Sequence, residues 1–334
     1  MSRNVRIALS AIVSVVLLWL ALRDVDWDEA VTAMRGASYW YILLMVPVTW
    51  WSLYIRAQRW RVFLGRVGVA PMATLVASTN IGFMANMVLP LRAGEVIRPV
   101  LLSRKETLPL SGVLGSCLLE RIFDMFCILT LFGLSVVLVE VSDRVQQWGY
   151  WLLMVSLGVA AVLALLRFQE ALALRISRGL CNLMPGKLGD PLHGFVEGFV
   201  NALTMLDSPT AFLRAFAWTF FLWFVIGLVY VLGFWAFHMT VSVIKGALIL
   251  TAIIAIVVSV PSAPGFIGAY QLGCVLALGV FGIDESEAVA YSLVLHAFQF
   301  VSVISAGLYS LWKEGMNLGD VEAQGQSADQ PVRG

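Results

Sequence analysis

Charge is scarce in this chain. Of 334 residues only 13% are charged, 22 Lys and Arg against 21 Asp and Glu, where an ordinary soluble domain carries roughly a quarter. That is too few to cover a water-soluble globule of this size. The net charge of +1 also excludes nucleic-acid binding of the usual kind, whose affinity comes from phosphate neutralisation by a clustered basic surface. Cysteine is scarce as well: Cys117, Cys127, Cys181 and Cys274 stand alone and three of them lie in apolar runs. Neither a disulfide framework nor a CxxC knuckle is available, and the four read as small buried hydrophobes. The three histidines, His193, His238 and His296, are too far apart for a helix-spaced ligand pair, so no metal and no cofactor is expected. A Walker loop, a GxSxG elbow and a GxGxxG within a βαβ unit are all missing, which removes the common soluble catalytic modules. The chain is expected not to be an enzyme.

What is abundant is apolar surface. Hydrophobic residues make up 60% of the chain and the mean hydropathy is +0.87, as in an integral membrane protein. A spanning helix needs about 20 mostly apolar residues, because the hydrocarbon core is about 30 Å thick. Six segments meet or approach this: Val5 to Leu22, Tyr39 to Ile55, Leu110 to Val139, Trp148 to Leu166, Phe212 to Phe237 and Ala288 to Trp312. Two more are broken: Met72 to Leu102 at Pro90 and Gly94, and Val243 to Phe281 at Pro261, Pro264, Gly265 and Gly268. Each broken segment is either a re-entrant hairpin or a pair of short spans, and both options return the chain to the side it entered from. The expected fold is therefore an all-α polytopic membrane protein with about six full spans and two Pro/Gly-broken segments.

Arg3 and Arg6 precede the first span with no A-x-A-like site after it, which reads as a retained signal anchor. With the N-terminus in the cytoplasm, sixteen Lys and Arg fall inside, including a basic loop from Arg56 to Arg66, while Arg23, Arg35, Arg144 and Lys245 fall outside. The positive-inside rule then places both termini in the cytoplasm. On this topology the chain divides into two membrane repeats of opposite orientation, 1–145 and 146–312, followed by a short polar tail, 313–334, expected to be disordered. The second repeat includes a connection, 168–208, with turn signals at Met184-Pro185-Gly186 and Gly189-Asp190-Pro191. Phe195, Phe199 and Leu203 at helical spacing make it amphipathic and interfacial. Inverted repeats with discontinuous helices are the usual construction of secondary transporters, and irregular backbone at membrane depth needs protein or a wet cavity to satisfy it.

Charges at membrane depth are costly and are usually functional or paired. Arg92, Glu95 and Arg98 recur every third residue after Pro90, and Glu120, Arg121 and Asp124 share one face of the following helix. Two readings stand. Glu95 pairs Arg121 and Arg92 pairs Asp124 as scaffolding, or Arg92 and Arg121 keep donor capacity for a lipid phosphate, which suits the bidentate guanidinium fork. Asn86, with Asn80, adds neutral donors or simply bonds between helices. In the second half Tyr270, Gln271 and His296 are the polar counterparts. Glu95 to Arg121 spans 26 residues and Gln271 to His296 spans 25, so a polar residue recurs at a similar depth. The clusters Tyr39-Trp40-Tyr41 and Trp50-Trp51 read as interfacial belt or packing residues.

The stretch Asn86-Met87-Val88-Leu89-Pro90-Leu91-Arg92-Ala93-Gly94-Glu95, followed by Arg98, Ser103-Arg104 and Glu120-Arg121-x-x-Asp124, resembles the membrane region of the lysylphosphatidylglycerol synthase/flippase family. Its second signature, Pro-Gly-Gly-Ile-Gly with a glutamate after it, appears as Pro264-Gly265-Phe266-Ile267-Gly268-Ala269-Tyr270-Gln271. Phe266 replaces the second glycine, and Gln271 stands where a glutamate is usual. The resemblance covers nearly the whole chain. It implies a flippase in the cytoplasmic membrane of a prokaryote that moves a polar or phospholipid between leaflets, with an anionic headgroup at Asn86, Arg92, Glu95, Arg98, Arg121 and Asp124. The second-half cavity would hold Tyr270, Gln271 and His296, and the backbone breaks would be Pro90, Gly94, Pro264, Gly265 and Gly268. A lipid-synthesising enzyme is a candidate partner. The competing expectation is an intramembrane transferase or accessory subunit acting on a polyprenyl-phosphate or phospholipid, with Glu95 or Asp124 as base.

Overall fold

The computed structural model describes residues 3–138, 143–168, 208–259, 264–317 and 319. Among the described residues every regular element is helical. The first half runs α1 (Arg3–Leu22), α2 (Trp27–Gly36), α3 (Tyr39–Leu64), α4 (Met72–Val88), α5 (Gly94–Glu106) and α6 (Leu110–Leu138). The second runs α7 (Asp143–Phe168), α8 (Pro209–Ala236), α9 (Val243–Ser259), α10 (Ala269–Gly279) and α11 (Glu285–Glu314). Helices α6, α8 and α11 are each long and apolar enough to cross a bilayer, and α3 and α4 meet that test together across a 115° bend. The architecture is that of a helical membrane protein.

Both broken segments have the same build, helix, one 3₁₀ turn, helix: Pro90–Arg92 separates α4 from α5, and Pro264–Phe266 separates α9 from α10. In each, the second helix is too short to span: α10 has 11 residues, about 16 Å at 1.5 Å per residue against a core of about 30 Å. Helices α4 and α5 fold back on one another at a contact between Gly82 and Gly94. A Cβ on Gly94 would stand 1.8 Å from the Gly82 carbonyl oxygen, so only two bare backbones approach so closely. The residues of this hairpin are the ones the punctuation at Pro90 and Gly94 predicts.

The two halves interlock. Asn80 of α4 donates to Ser310 of α11 at 3.0 Å, Trp50 Nε1 of α3 donates to the Ser302 carbonyl at 2.9 Å, and Gly307 makes room for Met84. The main core gathers Ile42 and Met45 with Tyr230, Phe234, Leu250, Tyr291 and Leu295. There the Tyr291 hydroxyl donates to the Tyr230 carbonyl at 3.0 Å, so a polar group at this depth is not left bare.

The structure departs from the sequence reading in two places and adds one element to it. The basic stretch from Arg56 is not a loop: α3 continues without interruption to Leu64, and Arg59 is fully buried. The fall in hydropathy after Ile55 reads as a helix end, but the helix continues and carries Arg59 inward to acidic partners instead. A short helix, α2, occupies the connection after the first span. Asp26 caps it by accepting from the amides of Asp28 and Glu29 at 2.9 and 3.2 Å, and its acidic first turn suits the helix dipole. Trp312 does not end the last helix, which runs to Glu314 with Gly315 closing it at φ +65°. Residues 169–207 of the connection expected to be amphipathic, Pro261 and most of the tail lie outside the described residues.

Candidate functional site

Charges converge because of helical spacing. Glu120 and Asp124 are one turn apart on α6, so both face Arg59 across the helix pair, while Arg56, one turn earlier on α3, makes no ion pair with either. Asp124 accepts from both terminal nitrogens of Arg59, Nη1 on Oδ1 and Nη2 on Oδ2 at 3.1 Å. Glu120 Oε1 stands 3.4 Å from Arg59 Nη2, and Glu120 Oε2 accepts from Arg98 of α5. The Arg98 guanidinium also lies 3.9 Å over the Trp60 ring, and Trp60 Nε1 donates to Ser116 at 2.9 Å. Trp223 Nε1 of α8 adds a donor to Asp124 at 3.1 Å. Helices α3, α5, α6 and α8 are thus tied by one ionic network whose charged members, Arg59, Arg98, Glu120 and Asp124, are almost fully withdrawn from solvent. Such groups persist only with partners on most of their polar atoms.

Beside this network lies a cavity of about 500 Å³. Ser52 and Arg56 reach it from α3, Phe83 and Asn86 from α4, Glu95 from α5, and Arg121 and Asp124 from α6. The second half contributes Trp223, Tyr230, Val258, Phe266, Tyr270, His296 and Gln299. Both backbone breaks stand at its wall. Arg92 adopts φ +54° and Phe266 φ +60°, a left-handed conformation that costs a non-glycine residue of order 1–3 kcal/mol and clusters at functional sites. The Arg92 guanidinium donates to the Val258 carbonyl in the last turn of α9 and lies 5.3 Å from the Phe266 ring.

The expected residues separate accordingly. Asn86, Arg92, Glu95, Arg121 and Asp124 share the cavity wall, as do Tyr270 and His296. Arg98 stands behind it, committed to Glu120, and Gln271 is buried outside the lining. Of the two expected pairs, Glu95 with Arg121 forms at 3.7 Å, a contact too long for a hydrogen bond. Arg92 with Asp124 does not form, because Asp124 is occupied by Arg59 while Arg92 turns to Val258. Arg121 also reaches Asp124 at only 3.9 Å, so its donors remain largely uncommitted. Asn86 Oδ1 is buried without a hydrogen-bond partner.

In the second half Gln271 and His296 satisfy each other, while the buried Tyr270 hydroxyl has no hydrogen-bond partner. Gln271 Oε1 accepts from the Gly268 amide at 2.8 Å, Gln271 Nε2 lies 2.9 Å from His296 Nδ1, and His296 Nε2 lies 2.7 Å from the Gly265 carbonyl. A carbonyl can only accept, so the proton sits on Nε2 and Nδ1 accepts from the glutamine. Tyr270 stacks on the imidazole at 4.6 Å. This chain of bonds pins the second break to α11 and needs a side-chain amide at 271, which both accepts and donates. Sequence reasoning missed Arg56, Arg59, Trp223 and Phe83. The available signal was the continuing apolar pattern of Ala57, Trp60, Phe63 and Leu64, all buried, which carries a helical face beyond Ile55. Among the described residues no group of three or more His, Cys, Asp or Glu side chains is placed to hold a metal.

Comparison with known proteins agrees with this architecture. Glycosyltransferase AglD of Haloferax volcanii is 22% identical over 351 residues, covering 95% of this chain but 56% of its own length. The chain therefore spans little more than half of that relative. A UPF0104 membrane protein of Methanocaldococcus jannaschii is 24% identical over 222 residues, 66% of this chain and 90% of its own length. No solved structure matches. The profile of the lysylphosphatidylglycerol synthase TM region matches residues 7–307, nearly all of the helical body described above, and the chain belongs to that family of membrane proteins.

Proposed function

We propose that this protein moves a polar, phosphate-bearing lipid between the two leaflets of the membrane. The observation that carries the reading is the cavity of about 500 Å³ at which both broken segments meet, with arginine donors on its wall. A phosphate crossing bare hydrocarbon pays its full desolvation cost, because a buried charge without partners has nothing to replace water. Arg92 and Arg121 offer that replacement, and Glu95 orients Arg121. The matching build of the two breaks supports an inverted repeat, 1–145 and 146–312, whose halves rock about the site while acyl chains stay in lipid. The cytoplasmic placement of both termini belongs to the same proposal.

A second reading has one specific support, the glycosyltransferase name of a relative: an intramembrane transferase or its accessory subunit acting on a polyprenyl-phosphate or phospholipid. Purified protein in liposomes separates the two. Leaflet exchange of a labelled lipid with no change in its mass supports translocation. A new lipid species seen by mass spectrometry, without exchange, overturns it in favour of the transferase.

A further inference from the structure

The geometry points to a headgroup bearing two negative charges, a phosphomonoester, in place of the singly charged phosphodiester of common phospholipids. This inference rests on the translocation reading and names its substrate class. It comes from a charge balance. Arginine stays protonated under all ordinary conditions. Five arginines line the cavity or stand directly behind it, Arg56, Arg59, Arg92, Arg98 and Arg121, against three carboxylates, Glu95, Glu120 and Asp124. Each carboxylate is claimed: Glu120 by Arg98, Asp124 by Arg59 and Glu95 by Arg121.

Two cations are left over, and both line the cavity. Arg56 and Arg92 have no carboxylate within ion-pair distance among the described residues. Each is instead laid against a phenylalanine, Arg56 at 4.5 Å from Phe83 and Arg92 at 5.3 Å from Phe266. An aromatic face offsets part of the desolvation of a guanidinium without neutralising it, and leaves the N–H edge free to donate. A surplus of two positive charges at membrane depth is costly. A ligand with one negative charge leaves one cation unmatched, whereas a phosphomonoester, with its second pKa near 6, carries about −1.5 to −2 at pH 7. The placement of Phe266 agrees: it accepts a strained backbone, φ +60°, to set its ring beneath Arg92.

The test is a binding series on the purified full chain in detergent, read by native mass spectrometry. Phosphatidic acid, phosphatidylglycerol and cardiolipin of matched acyl chains are compared, with inorganic phosphate as competitor. Phosphatidic acid should bind at least about tenfold more tightly than phosphatidylglycerol. Arg56→Gln and Arg92→Gln should each collapse that ratio, and Arg56→Lys should retain more of it than Arg56→Gln. Equal affinity for phosphatidic acid and phosphatidylglycerol overturns the inference, as does cardiolipin matching phosphatidic acid, and this wild-type comparison decides even where a variant fails to fold. A ratio unmoved by both Gln variants also overturns it. Displacement of phosphatidic acid by inorganic phosphate at equal concentration reassigns the dianion to the free ion and removes the lipid. Selective dianion binding without leaflet exchange in liposomes supports the charge assignment while the translocation reading fails.

Discussion

Arg59 can occupy the interior only because Asp124 grips it through both terminal nitrogens and Glu120 stands 3.4 Å away. Removing one partner leaves an uncompensated charge, which costs about 3–5 kcal/mol at a buried pair. Asp124→Ala should therefore lower the thermal unfolding temperature in detergent sharply and reduce monodisperse yield, and Arg59→Lys, which loses the fork, should follow in the same direction. An unchanged melting curve for Asp124→Ala would mean that the network is not what fastens α3 to α6. Arg92 behaves differently because its partners are a main-chain carbonyl and a ring. Arg92→Lys should thus cut leaflet exchange several-fold while leaving the melting temperature within a few degrees. This residue scale is where the sequence was least legible. Arg92, Glu95, Arg121 and Asp124 stood out because charges interrupt apolar runs, whereas Arg56 and Arg59 lay at the end of one and passed for loop cations. Which guanidinium takes which carboxylate depends on the angle between helices, and no spacing within one helix contains that information.

Among the elements, the broken segments were the most legible, because proline and glycine punctuate a helix through backbone chemistry alone. Their consequence is steric at Gly94, where an added Cβ would meet the Gly82 carbonyl oxygen at 1.8 Å. Gly94→Ala should separate α4 from α5 and destroy both folding yield and exchange. Gly158→Ala, with nothing within 4 Å of the added atom, should leave both at the parental level, and equal behaviour of the two variants would show that the hairpin is not closed as described. Helix α2 was less legible, although Asp26 followed by Glu29 is the spacing of a helix start. Its ten residues, three of them charged, are too few to show a spanning pattern. Helix α11 begins outside the apolar span with Asp284, which accepts from the Ser286 amide at 2.7 Å. That bond holds its carboxyl below the usual carboxylate range. A lowered pKa in the folded state means that the capping contribution is present above the ordinary carboxylate pKa and fades as pH falls through the lowered one. The melting temperature of Asp284→Ala should accordingly lie slightly below the parent at pH 7 and converge with it in acid.

At the scale of the whole molecule, the two breaks meet each other. Arg92 of the first donates to the last turn of α9 and lies against Phe266 of the second. Gly265 of the second stands by the Met87 carbonyl at the end of α4. A protein whose halves rock about this meeting point would carry a headgroup through it, so a defect at either break should stop exchange even when the other is intact. Gly268 tests this most directly. Its φ of +85° is one that side chains rarely adopt, and a Cβ there would stand 2.5 Å from the Ser14 carbonyl oxygen of α1. It also supplies the amide that anchors Gln271, and through Gln271 the imidazole of His296 and the Gly265 carbonyl. Gly268→Leu should therefore push α10 away from α1, unfasten the second break from α11 and abolish leaflet exchange in liposomes, while the arginine network around Asp124 keeps the first half assembled. Membrane insertion is scored separately, by the amount of monodisperse protein extracted in detergent. Normal insertion with exchange at the parental rate would place the second break outside the path, and the two-break mechanism would fall with it.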